Sequence, residues 1–530
     1  MTNEILITED RAAMSHYHKN IYLGFVSCIP DRLVSRSLYR RYFVPQVPVD
    51  NCGNALMAPL PLRAVESALI NGGFSRTQIS VVRSDFLESR INEDTKIVAL
   101  SSHDPLGLGP ATTTWSTIFG GIPHNRWEFL ELLSTLIRLR QKYDFKVILG
   151  GTGSWQLIQD NLYEKCKIDY VFVGESENVI PELFKSIIDG SYDGESIIRG
   201  QVVRPEKIPP ILAPTNWGLV EISRGCGRGC MYCSPTVSGK LRSLPIDTIL
   251  RSVAVNLQAP WNRSKSILLH SEDFFRYESA DREYRVNADA IFGLYDSLFE
   301  LGARQIYITH ASFANFVKDE DFIVEFTKYL RSHGMTSYGC QPGLETGSTR
   351  MMKAMMAGKM KPYTSEQWPW IVHEASRIMD QNNWYPVATL IMGLPGESHE
   401  DIAATYHLVE DLQSYKALYI PLFFVPMTKT RLEGRQQFIS ENMSMEHWRL
   451  MELCWKHNLE HIYDLYRVVD TESPHALKIF LKTAVSALKA LFSIKRSGTL
   501  SNSPRAPRLE DLGHTSPLEM TSLDEARFAV

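Results

Sequence analysis

The chain is short of the features that mark several large protein classes. Cysteine is scarce, with 8 in 530 residues, and no signal peptide is read, so a secreted disulfide framework is not expected and the chain reads as cytoplasmic and reduced. No uncharged apolar run reaches the roughly 20 residues that a membrane span needs. Neither sign of charge is in excess: 56 Lys and Arg against 60 Asp and Glu give a net −4, without the basic footprint expected of a nucleic-acid binder. The dinucleotide fingerprint G-x-G-x-x-G is also missing, because Gly151-x-Gly153 meets Gln156 where the third glycine belongs. What remains, 44% hydrophobic and 60.3 kDa, is enough for two core domains with extensions.

Three of the cysteines stand together as Cys226-Gly-Arg-Gly-Cys230-Met-Tyr-Cys233. The other five show no motif spacing and read as small buried hydrophobes. A structural zinc would need a fourth ligand, and no His or Cys lies within ten residues of the trio on either side. A 4Fe-4S cluster takes Cys thiolates on its irons, so three on one loop leave one iron free for chemistry. Trp217 to Arg224 is strand-like and leads into the loop, whose glycines let the backbone wrap around a bulky ligand.

This arrangement resembles the radical S-adenosylmethionine (SAM) enzymes, in which such a trio follows the first strand of a partial (βα)6 barrel. The resemblance implies that Tyr232 lies beside the adenine and that Ser271-Glu272-Asp273, after the apolar run Ser266 to His270, holds the methionyl amino group. Gly343-Leu-Glu345-Thr-Gly-Ser348 would touch the ribose or carboxylate of SAM, and Leu390-Ile-Met-Gly393-Leu-Pro-Gly-Glu397 would lie near the adenine. Tyr419 to Pro426 reads as the sixth strand. Glu345 and Glu397 also stand at helix starts, where a carboxylate needs no cofactor to explain it.

Residues 51–200 carry a second α/β pattern. A helix near Leu62 to Asn71, strands at Lys96 to Ser101, Lys146 to Leu149 and Asp169 to Val173, and a helix Glu128 to Lys142 predict a doubly wound parallel sheet. Its strand ends carry Ser101-Ser102, Gly150-Gly151 and Gly174-Glu175, where such sheets bind ligands. The domain is similar to the cobalamin-binding domain that precedes the barrel in one class of radical SAM enzymes, which implies a cobalamin site at Ser101, Gly150, Gly151, Gly174 and Glu175. The D-x-H-x-x-G of His-ligating cobalamin proteins has no counterpart over Asn54 to Arg63: either cobalt has no His below it or the domain no longer binds cobalamin. His103-Asp104 is out of register for that ligand. The long insertion from Pro105 through Trp115, His124 and Trp127 is a candidate lid over the substrate.

The expected organisation is an N-terminal extension over 1–50, the cobalamin-type domain over 51–200, the partial barrel over 211–430, a helical extension over 431–496 and a disordered tail over 497–530. Pro and Gly over 186–214 suggest a linker. The segment 475–496 has five Lys or Arg and no acid, reading either as a helix docked on the barrel or as a peripheral membrane contact. The resemblance implies reductive cleavage of SAM to a 5′-deoxyadenosyl radical that attacks an unactivated C–H bond, with electrons from a donor such as ferredoxin or flavodoxin. C-methylation through cobalamin, oxidation or ring closure on a small molecule or membrane lipid, and a noncatalytic metal scaffold are the readings carried forward. His310, Tyr338 and Gln341 are candidate polar residues near strand ends.

Overall fold

A computed structural model describes residues 4–234, 239–279, 284–336, 338–469 and Ser486. The basic segment 475–496, Ser486 apart, and the tail 497–530 lie outside the described residues. No described helix is long and apolar enough to cross a membrane.

Two parallel sheets organise the chain. The first has six strands: β1 (Ile5–Thr8), β2 (Ile79–Val81), β3 (Ile97–Ser101), β4 (Lys146–Gly150), β5 (Tyr170–Val173) and β6 (Ile197–Arg199), in the order β2-β1-β3-β4-β5-β6. The strands are rich in Val, Ile and Leu, and β1 and β3 are buried throughout, as a sheet covered on both faces requires. Leu62, Leu69 and Phe184 cover one face, while Phe129, Leu133 and Leu136 cover the other. The direction of winding reverses between β1 and β3, the position at whose carboxyl ends such sheets bind ligands.

Three expectations change here. The segment 1–50 is not an extension, because Ile5–Thr8 pairs with both β2 and β3 inside the sheet. The segment 186–214 is not wholly a linker, because Ile197–Arg199 pairs with β5 as an edge strand. The loop opposite Ser101 at this reversal follows β1, at Glu9-Asp10-Arg11, rather than lying at Asn54 to Arg63. It too contains no His.

The second unit is the partial barrel. Its strands are β7 (Leu219–Glu221), β10 (Ser266–His270), β11 (Gln305–Ile308), β12 (Tyr338–Cys340) continuing after a break as β13 (Gly343–Glu345), β14 (Trp384–Met392) and β15 (Leu418–Phe423). Counting β12 and β13 as one position gives six parallel positions in chain order. The Gln341 N–H at the break donates to the Thr309 carbonyl at 2.8 Å, tying it to the end of β11. A short antiparallel pair, β8 (Ser223–Arg224) and β9 (Arg242–Ser243), brackets the cysteine loop. Helices alternate with the strands, and between them Phe274, Phe275, Phe316, Phe322 and Phe326 form a continuous aromatic core.

The insertion after β3 forms helix α1 (Pro110–Phe119), which clamps the first sheet to the barrel. The Phe423 N–H at the end of β15 donates to Thr114 Oγ1 at 2.8 Å, and Ser440 Oγ donates to the Thr117 carbonyl at 2.6 Å. Trp115 and Phe119 stack with Trp455 of the long helix α2 (Met445–Val469). The carboxyl edge of the first sheet thus lies against the carboxyl end of the barrel.

Candidate active site

The cysteine loop leaves β8 with three left-handed glycines, Gly225, Gly227 and Gly229. At Gly225 a side chain is excluded outright: a Cβ would lie 2.6 Å from the Lys240 carbonyl oxygen. Cys226, Cys230 and Cys233 are free thiols. Burial pushes all three thiols up; Cys230 and Cys226 push Cys233 further up, while Lys359 opposes the rise at Cys230 and Cys233. Neighbouring thiols largely held out of water are a donor set suited to a cationic iron centre. Among the described residues no three His, Cys, Asp or Glu side chains converge on a single ion, whereas a cluster takes one thiolate per iron.

Around this loop the barrel gathers Tyr232, Glu345 and Lys359. Lys359 Nζ pairs with Glu345 Oε1 at 2.7 Å, both side chains being nearly buried. Burial, then the Glu345 carboxylate, pushes the Tyr232 phenol well up. Glu345 holds a left-handed φ of 63°, a strained conformation for a non-glycine that places its carboxylate over the loop. Glu272, at the end of β10, is pushed up to about 7 by burial and then by Glu221. Such a carboxyl suits an incoming ammonium, which would restore its charge.

The other SAM candidates have partners of their own. Ser348 caps a helix by accepting from the Met351 N–H at 3.1 Å and donates to Asp401. Glu397 Oε2 accepts from the Gly393 N–H at 2.6 Å and lies 3.4 Å from His447 Nε2. Burial raises the Glu397 carboxyl against the pull of these two groups. A Cβ at Gly393 would fall 1.9 Å from the Phe438 ring. His270 and His310 meet edge to face inside the barrel; burial, then Arg224 and His270 respectively, pushes both down to about 4. Tyr338 instead donates to the Met335 carbonyl at 2.8 Å.

In the first sheet Ser101, Gly150 and Gly151 come together. Gly151 is left-handed, and its Cβ would sit 2.5 Å from the Ser102 carbonyl, so the close approach of the two loops itself requires glycine. His103 Nδ1 lies 2.7 Å from Thr152 Oγ1, fixing the loop. Glu175 stands apart from this group. Its carboxylate accepts from Arg242 (2.5 and 2.9 Å) and Arg224 (3.0 Å). Against the cost of burial, Arg242, the Val203 N–H and Arg224 hold it below its usual range.

Two groups were not legible in the sequence. Arg228, inside the cysteine loop, is buried and pairs with Asp273 at 2.9 Å, donates to the Lys359 carbonyl at 2.7 Å, and also reaches Asn315. It fastens the loop to three separate segments; its only sequence signal is a long cation among Gly and Cys. Glu9, buried at the carboxyl end of β1, is pushed up to about 8 by burial against a hydrogen bond from Ser101. The pair lies at the carboxyl ends of β1 and β3.

Three neighbouring thiols, Cys230 buried and Cys226 and Cys233 partly so, sit on a glycine loop after the first strand of a six-position parallel half-barrel, the arrangement of a radical SAM domain, the type that takes a 4Fe-4S cluster and SAM. Residues 220–409 match the radical SAM superfamily. The chain is 26% identical over 309 residues to a tRNA-2-methylthio-N(6)-dimethylallyladenosine synthase of Herminiimonas arsenicoxydans, over 55% of this chain and 64% of that protein. With the enzyme of the same name from Shewanella sediminis it shares 25% over 247 residues, 46% of this chain and 49% of that one. The chain therefore spans less than two thirds of these relatives. In fold it is similar to the radical SAM methyltransferase TsrM from Kitasatospora setae, solved with cobalamin and a 4Fe-4S cluster (TM-score 0.51, 14% identity, 82% of this chain and 74% of that one). It is also similar to the cobalamin-dependent radical SAM enzyme OxsB, solved with aqua-cobalamin and SAM (TM-score 0.54, 13% identity, 99% and 80%).

Proposed function

We propose that this chain is a cobalamin-dependent radical SAM enzyme whose net reaction is methylation of an unactivated carbon in a small molecule or lipid, with electrons drawn from a ferredoxin or flavodoxin. The observation that carries the reading is the opposition of two carboxyl edges. The end of β5 meets the end of β8 through Glu175 and Arg224, and the loop after β3 meets the end of β15 through Thr114 and Phe423. Parallel sheets bind ligands at these edges, so a cofactor on each would face the other.

When bound, the cluster, SAM and cobalamin supply the radical and methyl-transfer chemistry. The chain's own residues would hold and shield these groups: Cys226, Cys230 and Cys233 would take three irons, Glu272 would receive the SAM ammonium, and Tyr232 with the Glu345–Lys359 pair would wall the site. Glu9, Ser101 and Gly151 lie at the sheet's carboxyl edge, where the corrin would rest. The clamp helix α1 packs along the seam between the sheet and the barrel.

Purification without oxygen from cells supplied with hydroxocobalamin tests the reading by absorbance. Iron-sulfur and corrin bands together, and a product heavier by one CH2, support it. A cluster without corrin moves the reading to oxidation or ring closure, with a product lighter by two hydrogens. That second reading draws on Gly151 and Glu175, whose protein partners account for them without a cofactor. No cluster after iron and sulfide reconstitution overturns both.

A further inference from the structure

The long helix α2 begins at Met445 and carries His447, a buried residue, in its first turn. The ring nitrogen Nδ1 accepts from the Ser444 N–H at 3.1 Å and lies 2.9 Å from Ser444 Oγ. A nitrogen that accepts from a backbone N–H presents its lone pair, so the proton of the ring sits on Nε2. That proton faces Glu397, whose Oε2 lies 3.4 Å away. One edge of the ring thus caps the helix, in the position where a capping box has Glu or Gln. The other edge reaches out of the helix to the barrel.

What it reaches is the loop after β14. Glu397 Oε2 also accepts from the Gly393 N–H at 2.6 Å, closing the loop on itself. Gly393 is left-handed at φ 79°, and the Phe438 ring occupies the space its side chain would need. His447 packs on that ring as well, with centroids 4.9 Å apart. The loop is therefore gripped through Glu397 and through Phe438, and His447 touches both. Its support is itself fixed: the Phe438 N–H donates to the Phe424 carbonyl at 3.0 Å, and Gln437 Nε2 donates to Thr113 Oγ1 of α1 at 3.3 Å. The Glu397 side chain is only 5% exposed. A carboxylate so buried that loses a donor turns to water or takes up a proton, and either change loosens its hold on the Gly393 N–H.

We infer that His447 is a positioning residue for SAM: its Nε2–H holds Glu397 against the Gly393 N–H and so fixes the loop after β14 in the shape that SAM meets. The loop stands at the carboxyl end of a barrel strand, where such barrels bind their ligands. The inference rests on the proposed reading of the barrel as a SAM site and adds to that site a residue from the helix outside it.

The test uses the full chain with its cluster reconstituted and left oxidised, so that SAM binds without being cleaved, and measures SAM affinity by equilibrium dialysis. Two substitutions share a size and a capping acceptor. His447→Gln keeps a donor for Glu397, whereas His447→Glu faces it with a second carboxylate. The expected result is an unchanged affinity in His447→Gln and a loss of about tenfold in His447→Glu, the worth of one hydrogen bond to a charged partner. A residue that only capped the helix would give two equal variants. If His447→Glu does not fold, as judged by circular dichroism, His447→Asn takes its place: it keeps an acceptor at the position of Nδ1 and is too short to reach Glu397. Equal SAM affinity in the two variants, whether kept or lost in both, overturns the inference and leaves the proposed function standing. No binding of SAM by the unsubstituted chain overturns both.

Discussion

Arg228 and Glu9 show how much a single buried charge can control. Arg228 is held by a carboxylate, an amide and backbone carbonyls, so removing it leaves Asp273 buried without its cation. Breaking a buried pair costs about 3–5 kcal/mol, and Arg228→Met should lower the urea midpoint accordingly and reduce the iron retained after reconstitution. Glu9 works through protons. Its folded carboxyl sits near 8 against an ordinary 4.5, so the folded state is favoured below about pH 4.5 and loses that advantage as pH rises through 8. Stability of the first domain should therefore fall between pH 5 and 8, Glu9 contributing up to about 1.4 kcal/mol per pH unit, and Glu9→Gln should reduce the slope in a thermal-melt pH series to the share left by Asp10, whose carboxyl burial pushes up to about 7. An unchanged slope would assign the titration elsewhere.

Elements were unevenly legible. The barrel strands and the cysteine loop stand out in the sequence because a period-two or fully apolar run ending in small residues is a local pattern. Ile5–Thr8 is only four residues, followed by some seventy before its first partner strand, and nothing local shows where it pairs. The docking of the insertion at 105–127 is illegible for a similar reason: it depends on Thr114 meeting a backbone N–H more than 300 residues away. Glu175 sits at a strand end where a ligand is expected, and its arginines come from the other domain. Thr114→Val removes the acceptor and leaves the Phe423 N–H buried and unpaired. A loss of about 1–3 kcal/mol is expected, measurable in the thermal midpoint, together with faster hydrogen exchange at Phe423.

At the scale of the molecule the two domains are joined by ion pairs as well as by the clamp. Arg224 binds Glu175, Glu177 and Glu221, linking the cysteine strand to the first sheet. Glu175→Gln weakens this junction without touching either core, so calorimetry should show one unfolding transition separating into two, with the first sheet melting earlier. A single unsplit transition would assign the coupling to α1 alone. The placement of β1 also bears on how the protein is made. Thr8 leaves the ribosome about ninety residues before Ile97, and at roughly 5–20 residues per second this buried strand stays exposed for on the order of ten seconds before β3 can cover its second edge. Through that interval a nascent chain would offer chaperones an apolar segment, and slowing translation just after residue 101 should favour correct folding more than slowing it earlier.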